Sequence, residues 1–228
     1  MTGKNAANRG RWWAAYSIAA AADTIAAGAG RARIRRFTKP ALMPLLAVAG
    51  GAPRVAVPIA GSWVGDVALM TKSDAGLLGG VAGFAAAHVA YLRELHRIRP
   101  RAARRSRVES VTAVGFAATT AVAGAAIWPR LADRPALRLP VLGYACLVSA
   151  MGQAAVGTGT RIGGPDGRRL ALGGALFVVS DALVATSMFG GDRRRMVDAA
   201  AMATYTAAQG LLTHALVARS RTMAEGQP

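Results

Sequence analysis

Cysteine and acidic residues are both scarce in this 228-residue sequence. The one cysteine, Cys146, lies in an apolar run and excludes any internal disulfide. Eleven Asp and Glu stand against 28 Lys and Arg, which gives a formal net charge of +17. In a soluble protein such an excess would suggest nucleic-acid binding. Here the basic residues form short clusters between apolar runs, so we expect them to contact anionic lipid headgroups and no nucleic acid.

Regular alternation of polar and apolar residues is also missing from long stretches of the chain, which excludes an ordinary soluble domain. These stretches consist mainly of Ala and Gly, and they come close to the roughly 20 residues that a bilayer-spanning helix needs. We therefore predict an all-α membrane protein, a single transmembrane domain over 1–228 with eight transmembrane helices in one bundle. The predicted spans are 12–29, 40–52, 55–71, 75–92, 108–128, 139–158, 169–189 and 196–218.

Both termini are expected on the cytoplasmic side of a bacterial cell membrane. An even number of spans puts the termini on one side, and the segments on that side hold 16 of the 28 Lys and Arg. The first span has the basic start of a signal peptide, but Asp23 interrupts it and seven further apolar runs follow. We therefore expect the first span to be retained as a helix.

The two halves of the chain resemble each other, which predicts a 4+4 parallel internal repeat. Asp66 follows Ser-Trp-Val-Gly in the third span, and Asp181 follows Phe-Val-Val-Ser in the seventh. Pro40 and Pro140 fall at the predicted start of the second and sixth spans, where a missing N–H costs nothing. Spans 1–4 would then superpose on spans 5–8 by rotation about the membrane normal. Coincidence among Ala-rich helices is the alternative.

An ionisable side chain inside a span costs free energy, so each one needs a reason. Asp66 and Asp181 each lie about twelve residues into spans that run in the same direction, which predicts a common depth near the midplane. Ser62 and Ser180 place a hydroxyl near each of them. Two facing carboxyls in a low-dielectric site cannot both ionise easily, so one would stay protonated and supply an acid beside a base. Two independent helix-packing hydrogen bonds are the alternative.

Other polar side chains in the spans are candidates for substrate binding or positioning. His88 and Tyr91 share a helix face, and Tyr205 and Gln209 form a similar stripe in the eighth span. Lys39 could anchor a helix end or contact the phosphate of a lipid headgroup. The sequence has no Gly-x-Ser-x-Gly, His-Glu-x-x-His or phosphate-loop motif and no cluster of metal ligands. We therefore expect neither a metal nor a cofactor.

Six short motifs occur in order along the chain: Thr38-Lys39-Pro40 with Pro44, Trp63-Val64-Gly65-Asp66, Ala87-His88-Val89-Ala90-Tyr91, Tyr144, Phe177-Val178-Val179-Ser180-Asp181, and Thr204-Tyr205 with Ala208-Gln209. In this order and on these spans they resemble the YhhN-like lysoplasmalogenase family, over nearly the whole chain. The resemblance implies an eight-span membrane enzyme. It also implies site positions at Lys39, Asp66, His88, Tyr91, Tyr144, Asp181, Tyr205 and Gln209.

Members of that family hydrolyse the vinyl ether bond of lysoplasmalogens and release a fatty aldehyde and a glycerophospho-alcohol. The resemblance therefore implies an ether hydrolase with a lysophospholipid substrate and with Asp66 and Asp181 as catalytic residues. A vinyl ether is protonated at its β-carbon and water traps the oxocarbenium ion, which requires an acid and a carboxylate but no metal. Two other classes stay open, namely a proton-coupled small-molecule transporter and a non-catalytic lipid-binding membrane protein.

Overall fold

The computed structural model of the chain describes residues 3–101, 106–189 and 194–226. Within these ranges the chain forms eight α-helices and no β-strand, which confirms the predicted all-α class. The helices are α1 (Gly3–Gly28), α2 (Ala32–Gly50), α3 (Pro53–Ala68), α4 (Asp74–Ile98), α5 (Arg107–Ile127), α6 (Pro135–Ile162), α7 (Gly164–Phe189) and α8 (Arg194–Glu225). Each helix overlaps one predicted span, and a 3₁₀ turn, Pro129–Leu131, leads from α5 towards α6.

Local capping sets the ends of several helices. The Ser73 hydroxyl accepts a hydrogen bond from the Gly76 amide at 3.0 Å and starts α4. Ser106 and Glu109 form a reciprocal capping box at the start of α5. Gly51 ends α2 in the left-handed region, with φ of 58°, which a residue without a β-carbon adopts readily. These caps satisfy backbone groups that a helix end would otherwise leave unpaired.

The predicted start of α2 is wrong by about two turns. The helix begins at Ala32 and not at Pro40. The arginine-rich residues 32–36 before the proline are therefore part of the helix. Pro40 and Pro44 therefore lie inside the helix. Pro44 has no N–H to donate to the Pro40 carbonyl, and the indole Nε1 of Trp63 donates to that oxygen at 2.9 Å instead. This replacement bond fastens α2 to α3.

Helices that follow one another along the chain pack together within each half, α1 to α4 and α5 to α8. Across the halves, α4 packs on α6 and α1 packs on α8, which also contacts α2 and α3. The main hydrophobic core takes buried side chains from seven helices, and among the described residues none comes from α5. The two halves therefore form one bundle in which α5 is peripheral.

Glycine permits the closest approaches between helices. At Gly83 of α4, a β-carbon would lie 2.6 Å from the backbone nitrogen of Gly65 in α3. At Gly159 of α6, a β-carbon would lie 2.9 Å from the backbone nitrogen of Ala171 in α7. Backbone atoms cannot move aside as a flexible side chain can, so both contacts require the absence of a side chain. The two closely packed helix pairs, α3–α4 and α6–α7, carry Asp66, His88, Tyr144 and Asp181.

The order of helix contacts is similar in the two halves. The pairs α1–α2, α2–α3 and α3–α4 correspond to α5–α6, α6–α7 and α7–α8, and the α4–α6 contact corresponds to the α8–α2 contact. The α1–α8 contact, however, has no substantial α5–α4 counterpart in the described residues, so the 4+4 repeat stays a prediction. The rotation that would superpose the halves stays a prediction.

Among the described helices, four, α4 to α7, are long and apolar enough to cross a membrane. The shortest helix, α3, has 16 residues, which cover about 24 Å against a hydrocarbon core of about 30 Å. Large apolar side chains are exposed on the outer faces of the bundle; Ile18 and Ile25, for example, are each 70% exposed. Such an apolar exterior requires lipid around it, and the chain is a membrane protein.

The two ends of the bundle differ in their ionic contacts. At the end that carries the α3–α4 and α5–α6 connections, Arg134 lies 3.0 Å from Asp74, and both side chains are exposed. At the opposite end, Glu109 is 1% exposed and is held by Arg161 at 2.6 Å and by Arg99 at 3.2 Å. The buried ion pairs tie the start of α5 to the ends of α4 and α6.

Candidate active site

A cavity of about 150 Å³ lies between the helices, in the half of the bundle nearer the α3–α4 and α5–α6 connections. Most of its wall is apolar. Its polar and charged lining residues are Lys39, Asp66, Thr119, Thr120, Tyr144, Ser149, Ser180, Asp181 and Tyr205. The structure therefore brings Asp66 and Asp181, 115 positions apart in the sequence, to one cavity.

Asp66 lies in the last turn of α3 and is 2% exposed. The ammonium of Lys39, on α2, lies 3.3 Å from its Oδ1. The hydroxyl of Tyr205, on α8, donates to its Oδ2 at 2.7 Å. Both oxygens of this buried carboxyl thus have a partner, and one partner carries a positive charge. Lys39, which the sequence predicts at a membrane edge, has this carboxyl as its ion-pair partner.

A chain of hydrogen bonds continues behind Tyr205, away from the cavity. The Gln209 amide Nε2 donates to the Tyr205 oxygen at 3.4 Å and to the Ser62 hydroxyl at 2.8 Å. Tyr91 donates to the Gln209 Oε1 at 2.5 Å. Tyr91 and Gln209 are fully buried and do not line the cavity. They therefore position Tyr205 and, through it, Asp66.

Asp181 has different partners. The hydroxyl of Tyr144, on α6, donates to its Oδ2 at 2.7 Å. His88, on α4, is fully buried; its Nε2 lies 3.2 Å from the Tyr144 oxygen and 3.8 Å from Asp181 Oδ2. Its Nδ1 is buried without a hydrogen-bond partner in the described part of the chain. The Asp181 side chain is 19% exposed, so this carboxyl is the more accessible of the two.

Aromatic contacts connect the tyrosine that binds one carboxyl group to the tyrosine that binds the other. Phe84 packs edge-on against Tyr205, with 6.0 Å between ring centroids, and lies 6.5 Å from Tyr144. Phe177 packs edge-on against His88 at 4.7 Å and against Tyr205 at 5.6 Å. No hydrogen bond joins the two carboxyl groups in the described residues, and their expected close pairing stays a prediction. The site consists of two separately supported carboxyls that share a cavity.

The hydroxyl groups beside the carboxyls are those of tyrosines and not of the serines that the sequence suggests. Ser62 accepts from the Gln209 amide, and Ser180 donates to the Ala201 carbonyl of α8 at 3.1 Å. From the sequence, a hydroxyl near each Asp could be inferred only from serines at neighbouring positions. The tyrosines come from other helices, so spacing along the chain does not reveal them.

Two hydroxyl side chains that line the cavity, those of Thr120 and Ser149, are not among the candidate site residues predicted from the sequence. Thr120 of α5 and Ser149 of α6 form a short hydrogen bond and both line the cavity. Their only sequence signal is a hydroxyl residue in an apolar run. Asp23, which interrupts the first predicted span, is fully buried; its Oδ1 accepts a hydrogen bond from the Thr38 hydroxyl at 2.6 Å, and its Oδ2 lies 3.5 Å from Arg35. It fastens α1 to α2 just before Lys39.

Within the described ranges, no three His, Cys, Asp or Glu side chains cluster as metal ligands would. The polar groups of the cavity are instead carboxyls, phenols, hydroxyls and one ammonium, a set that can transfer protons and stabilise a cation. They are mounted on tightly packed helices, and their immediate partners come from different helices. This arrangement favours acid–base chemistry on an apolar molecule.

Comparison with known proteins gives a family. The YhhN family matches residues 34–216, a stretch that includes all eight predicted site positions. No curated protein matches the chain, and no solved structure matches it. Because the match extends over far more than half of the sequence, the chain belongs to the YhhN family.

Proposed function

We propose that this protein is a lysoplasmalogenase-like ether hydrolase. It would cleave the vinyl ether bond of alkenyl lysophospholipids and release a fatty aldehyde and a glycerophospho-alcohol. The observation that carries the proposal is the presence of two carboxyl groups with unlike partners, Asp66 beside Lys39 and Asp181 beside Tyr144, on one largely apolar cavity. Membership of the YhhN family is consistent with this activity.

We propose that all eight helices cross the bilayer as one domain, with both termini on the cytoplasmic side. The apolar outer surface extends to helices other than α4 to α7, as Ile18 and Ile25 of α1 illustrate. Such a bundle keeps the cavity within reach of lipids, whose reactive ether bond lies just below the headgroup. This placement suits a lysolipid substrate better than a solute dissolved in water.

The reaction would begin with proton transfer from a carboxylic acid to the β-carbon of the vinyl ether. The π electrons form the new C–H bond, and an oxygen lone pair forms the C=O⁺ bond of an oxocarbenium ion. Water then adds to the cationic carbon and gives up a proton to a carboxylate, which leaves a hemiacetal. Collapse of the hemiacetal breaks the C–O bond to glycerol, and the departing oxygen takes the hemiacetal hydroxyl proton. The sum is addition of one water, without an oxidant or a metal.

We assign the proton-donating role to Asp181 and the charge-stabilising role to Asp66. The ammonium of Lys39 provides a counter-charge that stabilises an ionised Asp66. The partners of Asp181 are a phenol and an imidazole that is fully buried against aromatic rings. An imidazolium there would leave a charged Nδ1–H without an acceptor among the described residues. When two carboxyl groups have different surroundings in this way, one is favoured as the proton donor and the other as the carboxylate.

The remaining site residues would position the two carboxyls. Tyr144 orients Asp181 and can stabilise its carboxylate after the proton has left. Tyr205 does the same for Asp66, supported by the amide of Gln209 and by Tyr91.

The direct test is hydrolysis by the purified protein in detergent or nanodiscs. Alkenyl and acyl lysolipids are supplied separately, and aldehyde and fatty acid are both quantified. We expect aldehyde from the alkenyl lipid only. Asp181→Asn should lower kcat by about 10²–10⁴-fold, the usual contribution of a general acid. Asp133→Asn, at an exposed position, is the matched control and should behave like the unaltered protein.

The pH dependence of kcat separates the two roles. A general acid gives a plateau at low pH and a rate that falls as pH rises through its titration. Asp66→Asn should keep the plateau at a reduced rate, whereas residual activity of Asp181→Asn should follow the proton concentration throughout. The opposite pattern would reverse the assignment. Fatty acid from the acyl lipid would indicate an ester hydrolase, and no product from either lipid would favour a transporter or a lipid-binding protein.

A further inference from the structure

A lysophospholipid carries a phosphate, and the cavity itself offers that anion little. Among the described residues that line the cavity, Lys39 is the one cation. Its ammonium lies 3.3 Å from Asp66 Oδ1, and its side chain is 14% exposed. A phosphate that approached Lys39 would therefore meet the Asp66 carboxylate as well. A counter-charge for the headgroup is expected beyond the lining residues.

Arg138 lies just beyond the cavity, in the first turn of α6. Residues three and seven positions further along an α-helix lie on nearly the same face. For Arg138 these residues are Val141 and Ala145, and both line the cavity. Leu139, by contrast, is 76% exposed on the outer face of the helix. The face of α6 that borders the cavity therefore continues to Arg138.

The guanidinium of Arg138 packs on Trp128, the residue that follows α5. Its Cζ lies 4.7 Å from the centroid of the Trp128 ring. Ile127, the neighbour of Trp128, lines the cavity. Contact with an aromatic ring attracts the cation without using its N–H groups, which can still match two oxygens of a phosphate. Trp128 thus restrains a bidentate anion-binding group beside the cavity.

Arg138 also differs from the other arginines at this end of the bundle. Arg134 pairs with Asp74 at 3.0 Å, and Arg130 donates to the Ala126 carbonyl at 3.2 Å. The Nε–H of Arg138 is shielded from water and has no acceptor within the described ranges. Such a group costs free energy, which an anion that accepts its hydrogen bond would recover.

The spacing between Arg138 and Asp181 fits a glycerophospho group. Tyr144, which binds Asp181, lies six residues after Arg138 on α6, and six helical residues rise about 9 Å. In the substrate five single bonds separate the ether oxygen from phosphorus, and they span about 6 Å when extended. Hydrogen bonds at the two ends supply the rest of the distance. The ether bond can therefore reach Asp181 while the phosphate reaches Arg138.

We propose that Arg138, restrained by Trp128, binds the phosphate of the lipid substrate and makes the site selective for phospholipids over neutral glycerol ethers. The proposal rests on the proposed function for the bond that is cleaved. Phosphate binding itself can be measured without turnover. Arg138 is a binding residue that sets specificity and takes no part in proton transfer.

Binding of two lipids without a vinyl ether bond tests this assignment. One is an alkyl-ether lysophospholipid, and the other is the alkylglycerol with the same chain and no phosphate. The protein is the full chain in a maltoside detergent, which carries no phosphate either. Arg138→Gln should weaken binding of the phospholipid about 10–100-fold, the usual value of hydrogen bonds to a charged group. Binding of the alkylglycerol should stay within about twofold.

Arg134→Gln is the matched control, because it removes an exposed arginine from the same end of the bundle. It should leave the affinity for both lipids unchanged. An equal loss for both lipids in Arg138→Gln, or the same selective loss in Arg134→Gln, would overturn the proposal.

If Arg138→Gln lowers the folded yield, the tryptophan decides. Trp128→Leu removes the ring under the guanidinium and should weaken binding of the phospholipid about 2–5-fold. Trp12→Leu alters a tryptophan of similar exposure on α1 and should have no effect. Unchanged phospholipid binding in Trp128→Leu would contradict the role given to this pair.

Competition and turnover separate the remaining outcomes. Inorganic phosphate at the concentration of the lipid should not displace it, because the ion lacks the chain; displacement would make this a site for the free ion and refute the lipid assignment. If Arg138→Gln shows the selective loss while alkenyl lysolipids are not hydrolysed, the proposed reaction fails and the phosphate site stands. If they are hydrolysed and Arg138→Gln leaves KM unchanged, the phosphate site fails and the reaction stands.

Discussion

Removal of the Lys39 charge tests the most consequential contact of the site. The ammonium lies 3.3 Å from Asp66 Oδ1, and the two side chains are 14% and 3% exposed. At that separation and an effective dielectric constant of about 20, the attraction is about 5 kcal/mol. Lys39→Met keeps the side-chain length but leaves a buried carboxylate with only the Tyr205 hydrogen bond. We expect a loss of about 3–5 kcal/mol in the free energy of unfolding, as for other broken buried pairs.

A double-mutant cycle measures the interaction between Lys39 and Asp66 separately from the other effects of each single substitution. Lys39→Met, Asp66→Asn and the double variant are unfolded thermally or by denaturant in one detergent. Because the double variant contains neither charge, it should be more stable than the sum of the single losses predicts, by about 2–4 kcal/mol. Lys72→Met, at an exposed position, is the control and should change stability little. Additive single losses would mean that the two side chains do not interact in the folded protein.

Three further outcomes follow from contacts in the structure. Tyr144→Phe removes the hydrogen bond to Asp181. Because this bond strengthens as the carboxylate forms, kcat for alkenyl lysolipid should fall more than KM rises. An unchanged kcat would contradict that role of Tyr144. Trp63→Phe leaves a carbonyl of α2 without its donor and should cost about 1 kcal/mol, measured as a lower unfolding midpoint. Trp12→Phe alters a tryptophan of similar exposure and is its control. Gly83→Ala places a β-carbon against the backbone of α3 and should lower the folded yield, whereas Gly115→Ala meets no atom within 4 Å and should be neutral or slightly stabilising.

The positions of the helices could be predicted because a helix that crosses a bilayer needs about 20 mostly apolar residues. Long apolar runs indicated the eight helices, and their few ionisable residues pointed to Asp66 and Asp181, which do share a cavity. The start of α2 could not be predicted in this way. The rule that places proline in a first turn failed at Pro40, which lies inside α2; the Trp63 indole supplies the donor that is missing at the next interior proline, Pro44.

The hydrogen-bond partners of the two carboxyl groups could not be predicted from the sequence, for a physical reason. Tyr205 is 139 positions from Asp66, and Tyr144 is 37 positions from Asp181. Contacts between helices depend on the rotation of each helix about its axis and on its depth. Ala-rich helices leave both poorly specified, because no face of such a helix is much more apolar than the others. The same uniformity hid the peripheral place of α5, whose composition resembles that of its better-buried neighbours.

The amide of Gln209 has a consequence for the membrane as a whole. A continuous row of groups that gain and lose protons would conduct hydrogen ions along α8 and dissipate the gradient across the bilayer. Tyr91 and Tyr205 are linked through a carboxamide, and an amide nitrogen does not release a proton to a phenol at physiological pH. Every donor in the row points towards Asp66, so the row polarises the carboxyl without passing charge onwards. If the two carboxyls exchange protons with a substrate as proposed, this row would support Asp66 without giving protons a path along α8.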